Sequence, residues 1–220
     1  MSMLHLLAAL MPKGAAPLAI ATVGSVLTSS ANLTTYDFGN VTVPTDGLLV
    51  VVFTAYGDSS RSVSSMSIGG SAVDGAVTGA GSFSKSAIGW RVVSAGARNV
   101  TVVLSGANGT NPGATAAVYL VTGYSSATPT ATDAPANAVG SSYSASVNTL
   151  AGQVAVVGVV AVTATNFTFS SATEVYDTPI GASAHAHGYI SSTVAATPHT
   201  ETATRSSGNP GGRVIIAVWS

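Results

Sequence analysis

Four residues in the C-terminal third have the types and spacing for metal or acid–base chemistry: His185 and His187, then His199 and Glu201. Histidines at i and i+2 of a strand point to one face and can share an ion. A single site made by all four is excluded by reach. If the turn runs from Val194 to Pro198, His199 pairs near Thr193 and His187 lies six residues away. At about 3.3 Å per residue that is roughly 20 Å. Two readings of His185 and His187 stay open. Three copies of the chain could pool six nitrogens on a symmetry axis, or the pair are ordinary strand residues with hydrogen-bond partners. The second is the expectation, so no metal and no cofactor is assigned.

Other catalytic constellations are missing. There is no G-x-S-x-G elbow, P-loop, nucleotide fingerprint or Asp-rich calcium loop. The eight acids are Asp37, Asp46, Asp58, Asp74, Asp133, Glu174, Asp177 and Glu201, and only Glu174 and Asp177 are close in sequence. Glycosidase chemistry needs two carboxylates about 5–9.5 Å apart; this pair reads instead as a strand end. The expectation is a protein that is not an enzyme.

Of the chain that carries these residues, only 7% is charged, with a net charge of −1. Soluble proteins carry about 25% charged residues. With a mean hydropathy of +0.46, this chain is expected to cover part of its surface with other subunits. The seven cations stand singly, so no basic stripe exists to bind nucleic acid. Without cysteine, stability must come from burial.

Residues 3–11, MLHLLAALM, form an apolar run ended by Pro12. It lacks the leading positive charge of a secretory signal, and it has half the length of a membrane span. It reads as an arm, residues 1–17, that docks on the domain or on a neighbour, with Leu4, Leu6, Leu7, Leu10 and Met11 as the anchoring contacts.

Beyond residue 18, Val- and Thr-rich runs alternate with Gly, Ser, Asn and Pro clusters, the pattern of an all-β chain. The continuous apolar runs Leu48 to Phe53 and Val154 to Val162 predict central strands buried on both faces. Val100, Val102 and Leu104, and likewise Ile88, Trp90 and Val92, alternate with other residues and predict half-buried strands. Three segments recur in order: GLLVVVFTAY from Gly47 with GQVAVVGVVAV from Gly152, AIGW from Ala87 with AHGY from Ala186, and NPGATAAVYLV from Asn111 with NPGGRVIIAVW from Asn209. Their offsets are 105, 99 and 98. Shrinking offsets in constant order suggest a duplicated unit with loop deletions. The expected fold is one two-sheet β-sandwich over 18–220. It is jelly-roll-like, internally duplicated (about 18–124 and 143–220), and preceded by the short apolar arm. Immunoglobulin-like strand order stays open, and so does a two-domain arrangement, because Ser125 to Ser142 is linker-like.

The stretches VSSMSIGG (Val63 to Gly70), AIGWRVVSAGARNVTVVLSG (Ala87 to Gly106), AAVYLVTGYSSATP (Ala116 to Pro129) and TEVYD (Thr173 to Asp177) resemble a loosely defined group of tailed-bacteriophage virion β-sandwich proteins. The resemblance spans most of the chain after residue 20 and leaves out the arm. It implies a virion structural role and carries no catalytic residue across. The resulting expectation is a capsid-surface decoration or head-fibre subunit in the virion, assembled in the host cytoplasm as a homotrimer. It would attach through the arm to the major capsid protein or to neighbouring subunits, with no nucleic acid and no membrane as partner. The alternative is a tail-associated adhesin for host carbohydrate, using aromatics such as Tyr56, Tyr124, Tyr143 and Tyr176.

Overall fold

The computed structural model describes residues 16–57, 60–79, 83–110, 112–136, 138–162, 165–206 and 211–220. Leu4, Leu6, Leu7, Leu10 and Met11, expected from the sequence as anchoring contacts, lie outside the described residues. The β-branched runs form strands and the Gly, Ser and Pro clusters form the turns between them. The first ten strands are β1 (Ala19–Thr22), β2 (Leu27–Ser29), β3 (Thr35–Val43), β4 (Gly47–Tyr56), β5 (Val63–Ile68), β6 (Ser71–Ala72), β7 (Gly75–Gly79), β8 (Ser84–Val93), β9 (Gly96–Leu104) and β10 (Gly113–Thr122). The remainder are β11 (Ala131–Asp133), β12 (Ala138–Val139), β13 (Ser142–Thr149), β14 (Val154–Val162), β15 (Phe167–Phe169), β16 (Thr173–Ile180), β17 (Ser183–Ile190), β18 (Ala196–Arg205) and β19 (Gly211–Trp219).

These strands build four antiparallel sheets. The first inner sheet has the order β1-β10-β4-β8-β7, with β2 also on β10, and the second has β11-β19-β14-β17-β16, with β12 also on β19. The first outer sheet is β3-β9-β5-β6 and the second is β13-β18-β15. Strand for strand, the two halves have the same order, apart from β6, which has no counterpart.

Three apolar clusters bind the sheets in the order outer, inner, inner, outer. Because side chains alternate along a strand, Leu49, Val51 and Phe53 of β4 face Val100, Val102 and Leu104 of the first outer sheet. Residues Leu48, Val50 and Val52 face the other way, toward Val154, Val156 and Ile215 of the second inner sheet. In the second half, Val157, Val159 and Ile216 pack against Tyr143, Val147 and Phe167. Among the described residues, the seam between the inner sheets buries thirteen apolar residues. At about 1.5–3 kcal/mol per large apolar side chain buried, it is a core in its own right.

The sequence readings of β4 and β14 as strands buried on both faces hold, and β9 is half-buried as expected. Four readings need correction. The expected two sheets are four, because each half brings a second sheet over its own apolar face before the inner sheets meet. Strand β8 is buried on both faces from Ser84 to Trp90, and Val92 is exposed, because its supposed water-facing side packs toward the first outer sheet, with Gly89 against Met66 and Val73, while Ile88 and Trp90 face the seam. The ladders align Leu49 with Ala155 when β8 and β10 are matched to β17 and β19, an offset of 106 rather than 105. A one-residue slip reverses the face of every side chain, and only 106 keeps seam residues on the seam. Finally, β17 and β18 are not hairpin partners: β17 pairs with β14 and β16, and β18 with β13 and β15.

The linker-like stretch is tied down along β19. Ser125 N–H donates to Ser220 O, Thr130 N–H to Val218 O, and the Trp219 indole to Ala127 O at 2.9 Å. Strands β11 and β12 extend that edge.

Candidate functional site

The seam is apolar toward Trp90 and Trp219 and polar toward its other end. Sheet register sets Thr115, Thr54 and Ser86 side by side on β10, β4 and β8. Opposite them, His185, Val160 and Arg213 lie side by side on β17, β14 and β19, with His187, Gly158 and Ile215 in the next row. Both imidazoles, both threonines and Ser86 have 0% exposure, and Arg213 has 2%. Glycines let the sheets approach this closely. A Cβ on Gly158 would sit 2.6 Å from Val52 Cγ1, and one on Gly79 would collide with the Arg213 guanidinium.

The hydroxyls and imidazoles form one continuous hydrogen-bonded chain. His187 Nε2 lies 2.6 Å from Thr115 Oγ1, which lies 2.7 Å from Thr54 Oγ1, itself 3.0 Å from His185 Nδ1. His185 Nε2 lies 2.8 Å from Ser183 Oγ, and Ser183 donates to the Ile180 carbonyl at 2.9 Å. That carbonyl can only accept, which fixes the direction of the chain. His187 Nε2–H donates to Thr115, Thr115 to Thr54, Thr54 to His185 Nδ1, and His185 Nε2–H to Ser183. Within this chain of bonds the atom left over is His187 Nδ1, buried without a partner, as is Ser86 Oγ in the facing row; in this tautomer Nδ1 is a lone pair rather than a stranded N–H. Burial pushes the pKa of both imidazoles down to about 3, and for His187 the neighbouring His185 adds to the fall.

The arrangement therefore holds two neutral imidazoles in a dry, ordered network. Three of their four nitrogens are committed to hydroxyls, and among the described residues no group of three or more His, Cys, Asp or Glu could hold a metal. The rings are enclosed within the chain, so they do not face a symmetry axis between copies. His199 and Glu201 are elsewhere, on β18 in the second outer sheet. Glu201 is buried, accepts the Ser171 and Ala172 N–H groups and the Ser171 hydroxyl, and lies 3.6 Å from His199 Nε2.

The four tyrosines do not converge. Tyr143 is core, with its hydroxyl donating to Gly140 O. Tyr56 ends β4. Tyr176 lines a cleft of about 470 Å³ between Thr22–Val26, β10 and β16, and Tyr124 lines another of about 470 Å³ with Asp46, Val92 and Gly123. Glu174 lies at the N-terminal end of β16, as expected of a strand end, whereas Asp177 lies in its middle.

Thr54, Thr115 and Arg213 were missed by sequence reasoning, although a signal existed. Thr54 interrupts the apolar run of β4, and Thr115 and Arg213 occupy the same place in the two NPG segments. A polar residue recurring at one position of an otherwise apolar strand marks a polar stretch of core.

These observations define an all-β protein of antiparallel sheets with a buried polar seam. No protein-family model, curated protein or solved structure matches the chain.

Proposed function

We propose that the chain is a non-enzymatic virion structural protein, a capsid-surface decoration or head-fibre subunit, assembled as a homotrimer and attached through residues 1–17. The observation that carries this reading is the outer face of the β13-β18-β15 sheet. Ser142, Ser144 and Ser146 bond across to Thr204, Thr202 and Thr200 at 3.3, 2.8 and 2.9 Å. The face continues through Thr168 and Asn148 without a charged side chain. A face whose hydroxyls already bond one another costs far less to bury against a neighbour than a charged one.

How the acids are used also supports a structural role. Of the seven acids among the described residues, six, Asp37, Asp46, Asp74, Asp133, Asp177 and Glu201, accept backbone N–H bonds that tie turns and strands together. We also propose a finer description of the fold. Each half is a jelly roll, and the halves are duplicates. The shared strand order and the paired registers of β4 with β14, β8 with β17 and β10 with β19 support it.

Light scattering on the full chain tests the reading, with Ser144→Lys and Thr202→Lys placed together on the hydroxyl face. A discrete oligomer that falls to monomer in the double variant is the expected result. A full-length chain that stays monomeric at all concentrations would remove the assembly role. The cleft with Tyr176 favours the second reading, an adhesin for carbohydrate. Glycan-array binding lost in Tyr176→Ala would support it.

A further inference from the structure

The hydrogen-bonded chain at the seam has no place for an extra proton. If His187 takes it, the new N–H is at Nδ1, which faces no acceptor. If His185 takes it at Nδ1, Thr54 and Thr115 must both reverse. His187 must then accept at Nε2 and carry its hydrogen at the same unpartnered Nδ1. Either way one buried N–H and one positive charge are uncompensated.

Among the described residues, the surroundings offer no counter-charge. Facing the imidazoles, β4, β10 and β8 present Thr54, Thr115 and Ser86, and β14 presents Gly158 and Val160. From β16 comes the Tyr176 ring, 6.1 Å from that of His187, and from β19 the Arg213 cation, in the row of His185 and two strands away. Lys85 is turned to the Gly57 and Phe83 carbonyls, and Asp177 to the Phe167 N–H. Neither imidazole has a carboxylate partner among the described residues.

We propose that this end of the seam is an acid-sensitive latch: protonation of the His185–His187 pair lodges a cation between the inner sheets, in line with Arg213, and uncouples the two halves while each keeps its own core. The separate apolar clusters on the far side of each inner sheet are what allow one half to let go of the other without unfolding. The latch acts within one chain and is independent of the assembly role. A solvated histidine takes its proton near pH 6.5, whereas the closed seam resists until about pH 3. Between those limits each histidine shifts the opening equilibrium by up to tenfold per pH unit.

The full chain is titrated from pH 8 to pH 2.5. Tryptophan emission and near-ultraviolet circular dichroism read the Trp90–Trp219 end of the seam, and far-ultraviolet dichroism reads the strands. The expected result is a tryptophan transition at higher pH than loss of the strand signal, with log K for opening changing by close to two per pH unit. In His185→Gln/His187→Ile, which places on β17 the residue type that β8 carries at Ile88, the midpoint moves down by a pH unit or more. Should that variant not fold, the wild-type slope alone decides. A slope near zero, simultaneous loss of both signals, or a variant that titrates like the wild type overturns the latch.

Discussion

The rings of Trp90 and Trp219 meet edge to face across the seam, their centroids 5.9 Å apart. One ring comes from each inner sheet. On the other flank Tyr119 and Tyr189 make the related contact at 6.1 Å, again one from each half. Edge-to-face pairs add about 0.5–1.5 kcal/mol beyond the area they bury, so the two contacts hold the inner sheets in one relative position.

Trp219 is fully buried, and its indole also holds Ala127 O. Trp219→Ala is expected to cost roughly 3–5 kcal/mol, read by denaturant unfolding. Trp219→Phe should keep the packing and lose about 1 kcal/mol for the hydrogen bond. Amide exchange should then quicken locally in 125–130. Uniform quickening across the chain would mean the indole bond does not specifically secure the crossover.

Close approach of the sheets gives a second expectation. In Gly158→Ala the new methyl meets Val52 Cγ1 at 2.6 Å, and a β-branched side chain has little room to rotate away. Overpacking of this kind costs about 1–3 kcal/mol. Val52→Ala opens the space, so Val52→Ala/Gly158→Ala should be at least about 0.5 kcal/mol more stable than the sum of its single variants implies. Strict additivity would show that the two residues do not oppose each other across the seam.

Strands β4 and β14 were legible in the sequence because an unbroken apolar run has one structural use, burial on both faces. The outer strand β9 was legible because its period of two is clean. Strand β8 was not: Gly89 and Arg91 read as a water-facing side, yet Gly89 lies against Met66 and Val73, and only the end of the strand is exposed. The resemblance between halves was visible in three segments. It could not report a second sheet in each half, since the outer strands share little sequence. His185 and His187 were rightly read as strand residues with hydrogen-bond partners. Their partners Thr54 and Thr115, from the other half, were not legible, because no local pattern records which sheets will face each other.

Glu201 shows how a buried carboxylate can be structural. It has 0% exposure and receives the Ser171 and Ala172 N–H groups at 3.1 and 3.3 Å. Glu201→Ala leaves those donors without their acceptor, at a cost of about 1–3 kcal/mol. Glu201→Gln keeps one accepting oxygen and should lose less than half as much. Equal losses in the two variants would point to charge, through His199 at 3.6 Å, as the source of stability.

Asp177 gives a pH dependence of opposite sign to the histidine pair. Burial raises its pKa from 3.8 to about 6, and Glu174 adds to the rise, against the Phe167 N–H that favours the anion. Between those values the folded chain holds a proton that the unfolded chain has released. The contribution is therefore complete below about pH 3.8 and is lost as pH rises through about 6. Partial exposure of the side chain screens the effect, leaving about 1–2 kcal/mol of the roughly 3 kcal/mol that a full shift of this size represents. Asp177→Asn retains an oxygen for the Phe167 N–H and has nothing to ionise. It should match the wild type near pH 4 and exceed its stability by about 1–2 kcal/mol at pH 8, measured by urea unfolding at each pH. Subtracting the two profiles cancels the histidine contribution, which runs the other way. If Asp177→Asn is the less stable protein at pH 8, the carboxylate stabilises the fold as an anion, and burial does not dominate its environment.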